Sequence, residues 1–271
     1  MIKTILITGS TDGIGKKTAE LLAKMGHKII IHGRNLNKCL STVEEVKSIS
    51  GNMSVDFFVS DLSSFSSIKN GAEELKNRYS KLDVLINNAG IYAKEKRLTE
   101  DGFESTFAVN HLSVYLLTGL LLPLLKNSSP SRIINVSSVA HERAKFNIDD
   151  INLEGGYNHY IAYANSKLAN ILFTNYLANL LPANYITVNS LHPGVITTKL
   201  LKEGFGISGS SLEEGASTSV YLATSEDINN ITGKYFVKKA IAKMSKTAED
   251  LNLAKELWNL SEKITDFKYP L

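Results

Sequence analysis

Seven short runs rich in β-branched residues recur along the chain, and each leads into a longer amphipathic stretch. The runs are Thr4–Thr8, Lys28–His32, Val55–Val59, Val84–Asn87, Arg132–Val136, Ile186–Leu191 and Tyr235–Val237. Several are unbroken in Ile, Val and Leu, the pattern of strands covered on both faces. The stretches between them, such as Lys16–Lys24, Cys39–Ser48, Ser66–Arg78 and Glu213–Ala223, carry helical spacing. This alternation predicts an α/β fold: a doubly wound parallel sheet of about seven strands with helices on both faces, joined by right-handed crossovers. No Pro/Gly/Ser-rich linker, low-complexity tract or internal repeat interrupts the 271 residues, so a single domain over 1–271 is expected. The tail from Ala248 to Thr265 spaces Leu251, Ala254, Leu257, Trp258 and Ser261 as a helix that packs back on the body.

Composition narrows the function by exclusion. Thirty basic and 27 acidic residues leave a net charge of only +3, spread along the chain, which argues against a nucleic-acid partner. A single cysteine, Cys39, permits no internal disulfide and no cysteine metal cluster, and six scattered histidines lack ligand spacing, so no metal site is expected. The strand-like run directly after Met1 leaves no room for a signal peptide, and a cytoplasmic location is expected. The longest apolar run, Val114 to Leu125, is broken by Thr118, Gly119 and Pro123. It reads as a buried helix and not as a membrane span.

The first run passes straight into Thr8-Gly9-Ser10-Thr11-Asp12-Gly13-Ile14-Gly15. Such a turn lets backbone approach a pyrophosphate, and the helix behind it offers free N–H groups and the positive end of its dipole. Alone it is also the mark of any tight turn; its place at the first strand–helix junction favours the dinucleotide. The end of the second run, His32-Gly33-Arg34, has glycine where an NAD site carries an acid for the ribose 2′-hydroxyl. A guanidinium next to that position suits a 2′-phosphate, which favours NADP(H) over NAD(H). Lys16 and Lys17 are placed to assist, although Arg34 also reads as the solvent-facing start of a helix. Asp61-Leu62 after the third run and Asn87-Asn88-Ala89-Gly90 after the fourth fall where adenine and ribose would lie, at the carboxyl edge of the sheet.

Tyr163 and Lys167 stand one helical turn apart, on one face. An ammonium beside a phenol favours the phenolate and is expected to lower the tyrosine pKa toward neutrality. The pair could then move a proton to or from a carbonyl or alcohol oxygen. By itself Tyr-xxx-Lys is more often a surface pair. Ser137-Ser138 ends the fifth run at the same sheet edge, and a hydroxyl there would hold a substrate oxygen. Asn110 interrupts a helical pattern, His192-Pro193-Gly194 ends the sixth run, and Thr198 is placed to reach a nicotinamide carboxamide.

Taken together, TGSTDGIG (8–15), DL (61–62), NNAG (87–90), Asn110, SS (137–138), YANSK (163–167) and HPG (192–194) resemble the short-chain dehydrogenase/reductase family, in its order and spacing over about residues 2 to 240. The resemblance implies a Rossmann fold and a catalytic tetrad of Asn110, Ser138, Tyr163 and Lys167. It implies hydride transfer between nicotinamide and a carbonyl or alcohol carbon, with Tyr163 as general acid or base and Asn110 holding a water that resupplies the proton. It further implies cofactor contacts from Gly9, Ser10, Thr11, Asp12, Gly13, Ile14 and Gly15. Others would come from Arg34, Asn35, Asp61 and Leu62, from Asn88, Ala89 and Gly90, from Pro193, Gly194, Val195 and Thr198, and from Tyr163 and Lys167 themselves. The 25-residue spacing from Ser138 to Tyr163, with INVSSVAH (134–141), YANSKLANILF (163–173), HPGV (192–195) and the Leu257-Trp258 tail, is similar to the retinol dehydrogenase-like branch.

The segment Thr197 to Leu212 is shorter and richer in glycine than in that branch, and is expected to be a mobile substrate lid. Together with Ile91–Lys96, Val139–Ala144 and Tyr157–Tyr160 it would wall a pocket for a small to medium hydrophobic ketone, aldehyde or alcohol, steroids included. A catalytically silent NADP(H) sensor on the same fold is the alternative; nucleotide-sugar dehydration or epimerisation would need a longer C-terminal domain. Leu112–Leu125 and Leu168–Leu181 are candidates for a helical interface in a homodimer or homotetramer, or else for core.

Overall fold

The computed structural model describes all 271 residues, the Phe205 side chain excepted. In chain order the elements are β1 (Thr4–Ile7), α1 (Gly13–Lys24), β2 (Lys28–Gly33), α2 (Leu36–Ser50), β3 (Val55–Val59), α3 (Phe65–Arg78) and β4 (Val84–Asn87). They continue with α4 (Ser105–Phe107), a π-helical turn (Ala108–Leu112), α5 (Ser113–Lys126), β5 (Ser131–Val136), a 3-10 turn (Val139–Arg143), α6 (His159–Leu180) and β6 (Ile186–His192). The last are α7 (Lys199–Phe205), α8 (Leu212–Thr224), β7 (Tyr235–Val237), β8 (Ala240–Ile241), a 3-10 turn (Lys246–Glu249) and α9 (Leu251–Thr265).

The strands form one sheet in the order β3-β2-β1-β4-β5-β6-β7-β8, a doubly wound α/β fold. All neighbours are parallel except β7 and β8. The sheet thus has eight strands, not about seven; the eighth is a two-residue antiparallel edge, exposed and without apolar periodicity. Strand order reverses between β1 and β4, and the crevice at that switch point lies at the carboxyl ends of both.

Each face of the sheet carries its own apolar layer. Leu6, Leu85, Ile133 and Val188 pack toward α3, α5, α6 and α9; Ile5, Ile7, Ile31, Ile86 and Ile134 pack toward α1, α2 and α8. Their alternation along single strands is why the runs are continuous in sequence.

The stretch Ser105–Lys126 is long and apolar enough to cross a membrane, but 89% of its apolar window is buried inside the fold. The segments Leu112–Leu125 and Leu168–Leu181, considered for a dimer interface, are core here. α9 packs along α6, with Leu257 and Trp258 buried between them. Beyond α9 the tail folds over α5. The Tyr269 hydroxyl donates to the Tyr115 carbonyl at 2.6 Å, and Phe267 and Tyr269 occupy the space that a Cβ on Gly119 would need.

Candidate active site

β1, β4, β5 and β6 end at one side of the sheet, around a cleft of about 1200 Å³ that runs from Arg34 at one end to Leu200 at the other. Its floor is the glycine turn. Gly9 (φ +62°) and Gly13 (φ +56°) adopt left-handed conformations that favour glycine. A Cβ on Gly15 would lie 2.4 Å from the Gly9 carbonyl oxygen, so the turn closes on α1 only with glycine there. Asp12 caps α1 by accepting from the Gly13 N–H at 2.7 Å. The N–H groups of the first helical turn, at Ile14 and Gly15, have no helical carbonyl to reach and open toward the cleft.

Side chains brace this floor from below. Thr8 Oγ1 accepts from the N–H groups of Asn88 (2.9 Å) and Ala89 (3.0 Å), and Asn88 Nδ2 donates to the Thr8 carbonyl at 2.8 Å. Asn88, Ala89 and Gly90 are thereby fixed over the turn. His32 Nδ1 accepts from the Gly9 N–H at 3.0 Å, and burial pushes the imidazole pKa down to about 4, keeping it neutral. That bracing was not legible from the sequence, because it joins residues 23 apart in the chain.

Several expected cofactor contacts turn out to be scaffolding. Ser10 is fully buried and faces β2, its hydroxyl donating to Ile7 and accepting from the His32 N–H; it does not line the cleft. Asn35 caps α2 by accepting from the Lys38 N–H. Lys16 pairs with Glu45 and Lys17 with Glu20, so neither assists at the cleft. Asp61 lines the cleft, but its Oδ1 accepts from both the N–H and the hydroxyl of Ser63. Arg34 reaches the cleft, and among the described residues no carboxylate lies within ion-pair distance of it. A Cβ on Gly33 would sit 2.7 Å from Thr11 Cγ2 and 3.1 Å from Cys39 Sγ, which leaves no space for an acid at that position. Glycine cradle, helix N-terminus and Arg34 together fit a dinucleotide.

The tetrad residues converge at the middle of the cleft. Asn110 sits at the centre of the π-helical turn, fully buried; its Oδ1 accepts from the Ile91 N–H at 2.7 Å, and its Nδ2 donates to the Ile91 carbonyl (3.0 Å) and Ser166 Oγ (2.9 Å). Its side chain therefore pins the β4 loop to α6, and π-turns of this kind cluster at functional sites. Gly90 leaves the gap between Asn110 and Lys167 open, since a Cβ there would lie 3.4 Å from Asn110 Oδ1 and 3.3 Å from Lys167 Nζ.

The two adjacent serines divide their tasks. Ser137 donates to the Lys167 carbonyl at 2.7 Å and belongs to the frame. Ser138 accepts from the Ala140 N–H and hydrogen-bonds the Tyr163 phenol. Lys167, buried on the same face of α6 as Tyr163, donates to the Val136 carbonyl at 3.0 Å, with Nζ 5.5 Å from the Tyr163 ring centre.

The charges in this structure run against the expectation of a lowered tyrosine. Burial pushes the Tyr163 phenol up to about 12, more than its Ser138 hydrogen bond pulls it down. Burial likewise lowers Lys167 to about 8. The ammonium points at a backbone carbonyl and not at the phenol oxygen, so desolvation wins over attraction.

The far wall holds Tyr92, Tyr160 and Leu200 against Tyr163. Tyr92 Oη and His159 Nδ1 are 2.6 Å apart, and a Cβ on Gly204 would meet the Tyr92 ring at 3.0 Å. The expected lid over Thr197 to Leu212 is not all loop. Thr198 caps α7 by accepting from the Leu201 N–H, and a bridge between Ile196 and Ser210 closes the base. A Cβ on Gly13 would lie 3.7 Å from Thr198 Cγ2, so the lid base borders the glycine turn. Pro193, Gly194 (φ +100°) and Val195 line the cleft beside it. Arg97, Leu98 and Val109 also line the cleft and were not anticipated; the first two reach it through the long β4–α4 connection, which has no periodicity to read, and Val109 from the π-helical turn beside Asn110.

Comparison with known proteins agrees with this geometry. The family model described as short chain dehydrogenase matches residues 3–206. Human retinol dehydrogenase 13 is 39% identical over 285 aligned residues, covering 99% of this chain and 86% of the relative. An uncharacterized protein from Mycobacterium paratuberculosis has a crystal structure that superposes with a TM-score of 0.84 at 33% identity, covering 99% of this chain and 95% of that one. The structure of Pseudomonas aeruginosa RhlG in an active-site complex with NADP superposes with a TM-score of 0.71 at 26% identity, covering 86% and 93%.

Proposed function

Because the chain belongs to the short-chain dehydrogenase family, close to its retinol dehydrogenase branch, and is an oxidoreductase acting on CH–OH carbons with a nicotinamide dinucleotide, we propose that it uses NADP(H) to reduce a carbonyl on a small to medium hydrophobic substrate. The observation that carries the chemistry is the Ser138–Tyr163 hydrogen bond at the middle of the cleft, one helical turn from Lys167. Gly9 to Gly15 and Arg34 would hold the pyrophosphate and the 2′-phosphate; the bound dinucleotide supplies the hydride.

Ser138 and Tyr163 orient the carbonyl oxygen between two hydroxyls. As the carbonyl carbon gains hydride, the oxygen gains charge and takes the Tyr163 proton, giving the alcohol. A phenol pushed up to about 12 by burial is protonated at neutral pH and so has a proton to give when a carbonyl is reduced. Lys167, charged below about 8, stabilises the phenolate left behind. Asn110 keeps the loop at Ile91 against α6, so that the proton can be resupplied along the gap beside Gly90. Tyr92, Leu200, Val139 and Ile207 give the substrate end an apolar lining.

The test is an absorbance assay of reduced-nicotinamide oxidation, with NADPH and NADH offered separately against all-trans-retinal, aliphatic and aromatic aldehydes, and steroid ketones. Oxidation of NADPH in preference to NADH is expected with at least one carbonyl. A preference for NADH would overturn the role given to Arg34, and near-native turnover by Tyr163→Phe would overturn the mechanism.

A further inference from the structure

His141 lies three residues after Ser138, on the 3-10 turn that leaves β5, and is 1% exposed. Its two ring nitrogens face partners of opposite kind. Nδ1 is 2.7 Å from the Ser138 carbonyl oxygen, which can only accept. Nε2 lies 3.1 Å from the Ser245 N–H, which can only donate. These partners allow one state of the ring, neutral with its proton on Nδ1. Burial lowers the imidazole pKa, consistent with that state, and the Tyr235 ring meets it edge-on at 5.1 Å.

The Ser138 carbonyl thus receives two hydrogen bonds from one residue, the His141 N–H at 3.1 Å and the His141 ring. Fixing that carbonyl fixes the peptide plane after Ser138, and with it the direction of the Ser138 hydroxyl. On its other side the ring is tied to a segment anchored independently. Asn175 of α6 donates to the Ala248 carbonyl at 2.8 Å and to Met244 Sδ at 3.3 Å, on either side of Ser245. The segment also lies beyond residues 3–206, the part of the chain that the family model matches.

We propose that His141 is a positioning residue for the reaction: it clamps the Ser138 peptide to the Met244–Ala248 segment and so aims the Ser138 hydroxyl at Tyr163. The inference rests on the assignment of Ser138 and Tyr163 given above. A residue that merely filled space would give stability without direction; this one supplies a donor to one defined carbonyl. Asparagine places a donor where Nδ1 stands, so His141→Asn keeps the bond to Ser138 and loses the one to Ser245. His141→Phe loses both while keeping a planar ring.

The experiment follows the NMR resonance of Tyr163 labelled at Cζ, which reports the hydrogen bond to its phenol, in the full-length chain without ligand. Ser138→Ala defines the position of a phenol that has lost that bond. His141→Phe is expected to move the Tyr163 signal most of the way to that position, and His141→Asn, which keeps only the bond to Ser138, to move it part of the way, about as far as loss of the Ser245 N–H does. In parallel, kcat for NADPH-dependent reduction of all-trans-retinal is expected to fall about tenfold in His141→Phe, with NADPH affinity within twofold of the parent. Should His141→Phe not fold, Ser245→Pro deletes only the N–H relative to Ser245→Ala, and the same signal should move in the first and not in the second. A Tyr163 signal unmoved by Ser138→Ala would overturn the underlying assignment. A signal moved by Ser138→Ala and unmoved by His141→Phe or Ser245→Pro would overturn the clamp. So would a ring nitrogen spectrum placing the His141 proton on Nε2.

Discussion

The floor of the cleft, residues 8–15 and 86–90, is built from backbone groups bonded to backbone, to buried Thr8 and His32 or to half-buried Asn88. The rim, residues 91–98 and 195–207, is built from side chains that hang from loops and from the seven-residue α7, and Ile91, Val195 and Ile207 there are 37–50% exposed. At the floor a methyl added to Gly9 or Gly15 would collide with main chain, at Gly15 as close as 2.4 Å. At the rim a Cβ on Gly204 would meet only the Tyr92 ring, a side chain that can turn aside; main chain is met only at the lid base, where Gly209 crosses the Val195 carbonyl. The same cleft therefore holds its dinucleotide end by a geometry that tolerates almost no substitution, and leaves its substrate end to residues that can change without disturbing the sheet.

The contrast would break first at the chemistry between the two regions. Tyr163→Phe should lower kcat by roughly 10²–10⁴ with NADPH affinity unchanged, as measured by steady-state rates beside a fluorescence titration. Next comes the floor. Gly15→Ala should weaken NADPH binding on the order of 100-fold, because either the Gly9 carbonyl or the Asn88 amide must move to admit the methyl. Arg34→Glu should weaken NADPH about 10- to 100-fold and NADH much less, so that the ratio of the two affinities, read by calorimetry, separates a phosphate contact from a general loss of structure.

The pH profile adds a smaller effect. Lys167, lowered to about 8 by burial, carries its charge below that value and loses it above. Reduction at saturating NADPH should therefore slow as pH rises through about 8, and Lys167→Arg should flatten that limb if the protein folds. The least effect is expected at the rim. Ile207→Ser should raise KM for a hydrophobic aldehyde by several-fold, with kcat and NADPH affinity held, since it removes only partly exposed apolar contact. An Ile207→Ser protein that lost NADPH binding would show that rim and floor are one unit after all.

The seven parallel strands were legible to within a residue at each end, because burial on both faces writes itself as unbroken apolar runs. The convergence of Ser138, Tyr163 and Lys167 on one cleft was legible because Tyr163 and Lys167 sit on one helix and Ser138 follows a strand at the same sheet edge. What stayed hidden depends on which way a side chain turns. Ser10 and Asn35 occupy family positions yet face inward or cap a helix. Lys16 pairs with Glu45, 29 residues along the chain, which no local spacing shows, whereas Lys17 and Glu20 stand one helical turn apart. β8 is two exposed residues, and α7 is a short helix ringed by glycines, so neither carries a period long enough to read. The Tyr163 pKa was misjudged because a sequence shows that a lysine is near but not how much water both groups lose. The bond from His141 to Ser245 joins residues 104 apart in the chain, beyond any local pattern.

The socket at Gly119 sets an order of events during synthesis. The apolar helix that holds this glycine is translated well before the rings of Phe267 and Tyr269 that fill the socket, Tyr269 coming 154 positions after its acceptor Tyr115. Until then a segment long and apolar enough to enter a bilayer stays incompletely covered on the nascent chain. A chain that has made this helix but not yet Phe267 and Tyr269 is thus more exposed to aggregation than the finished fold.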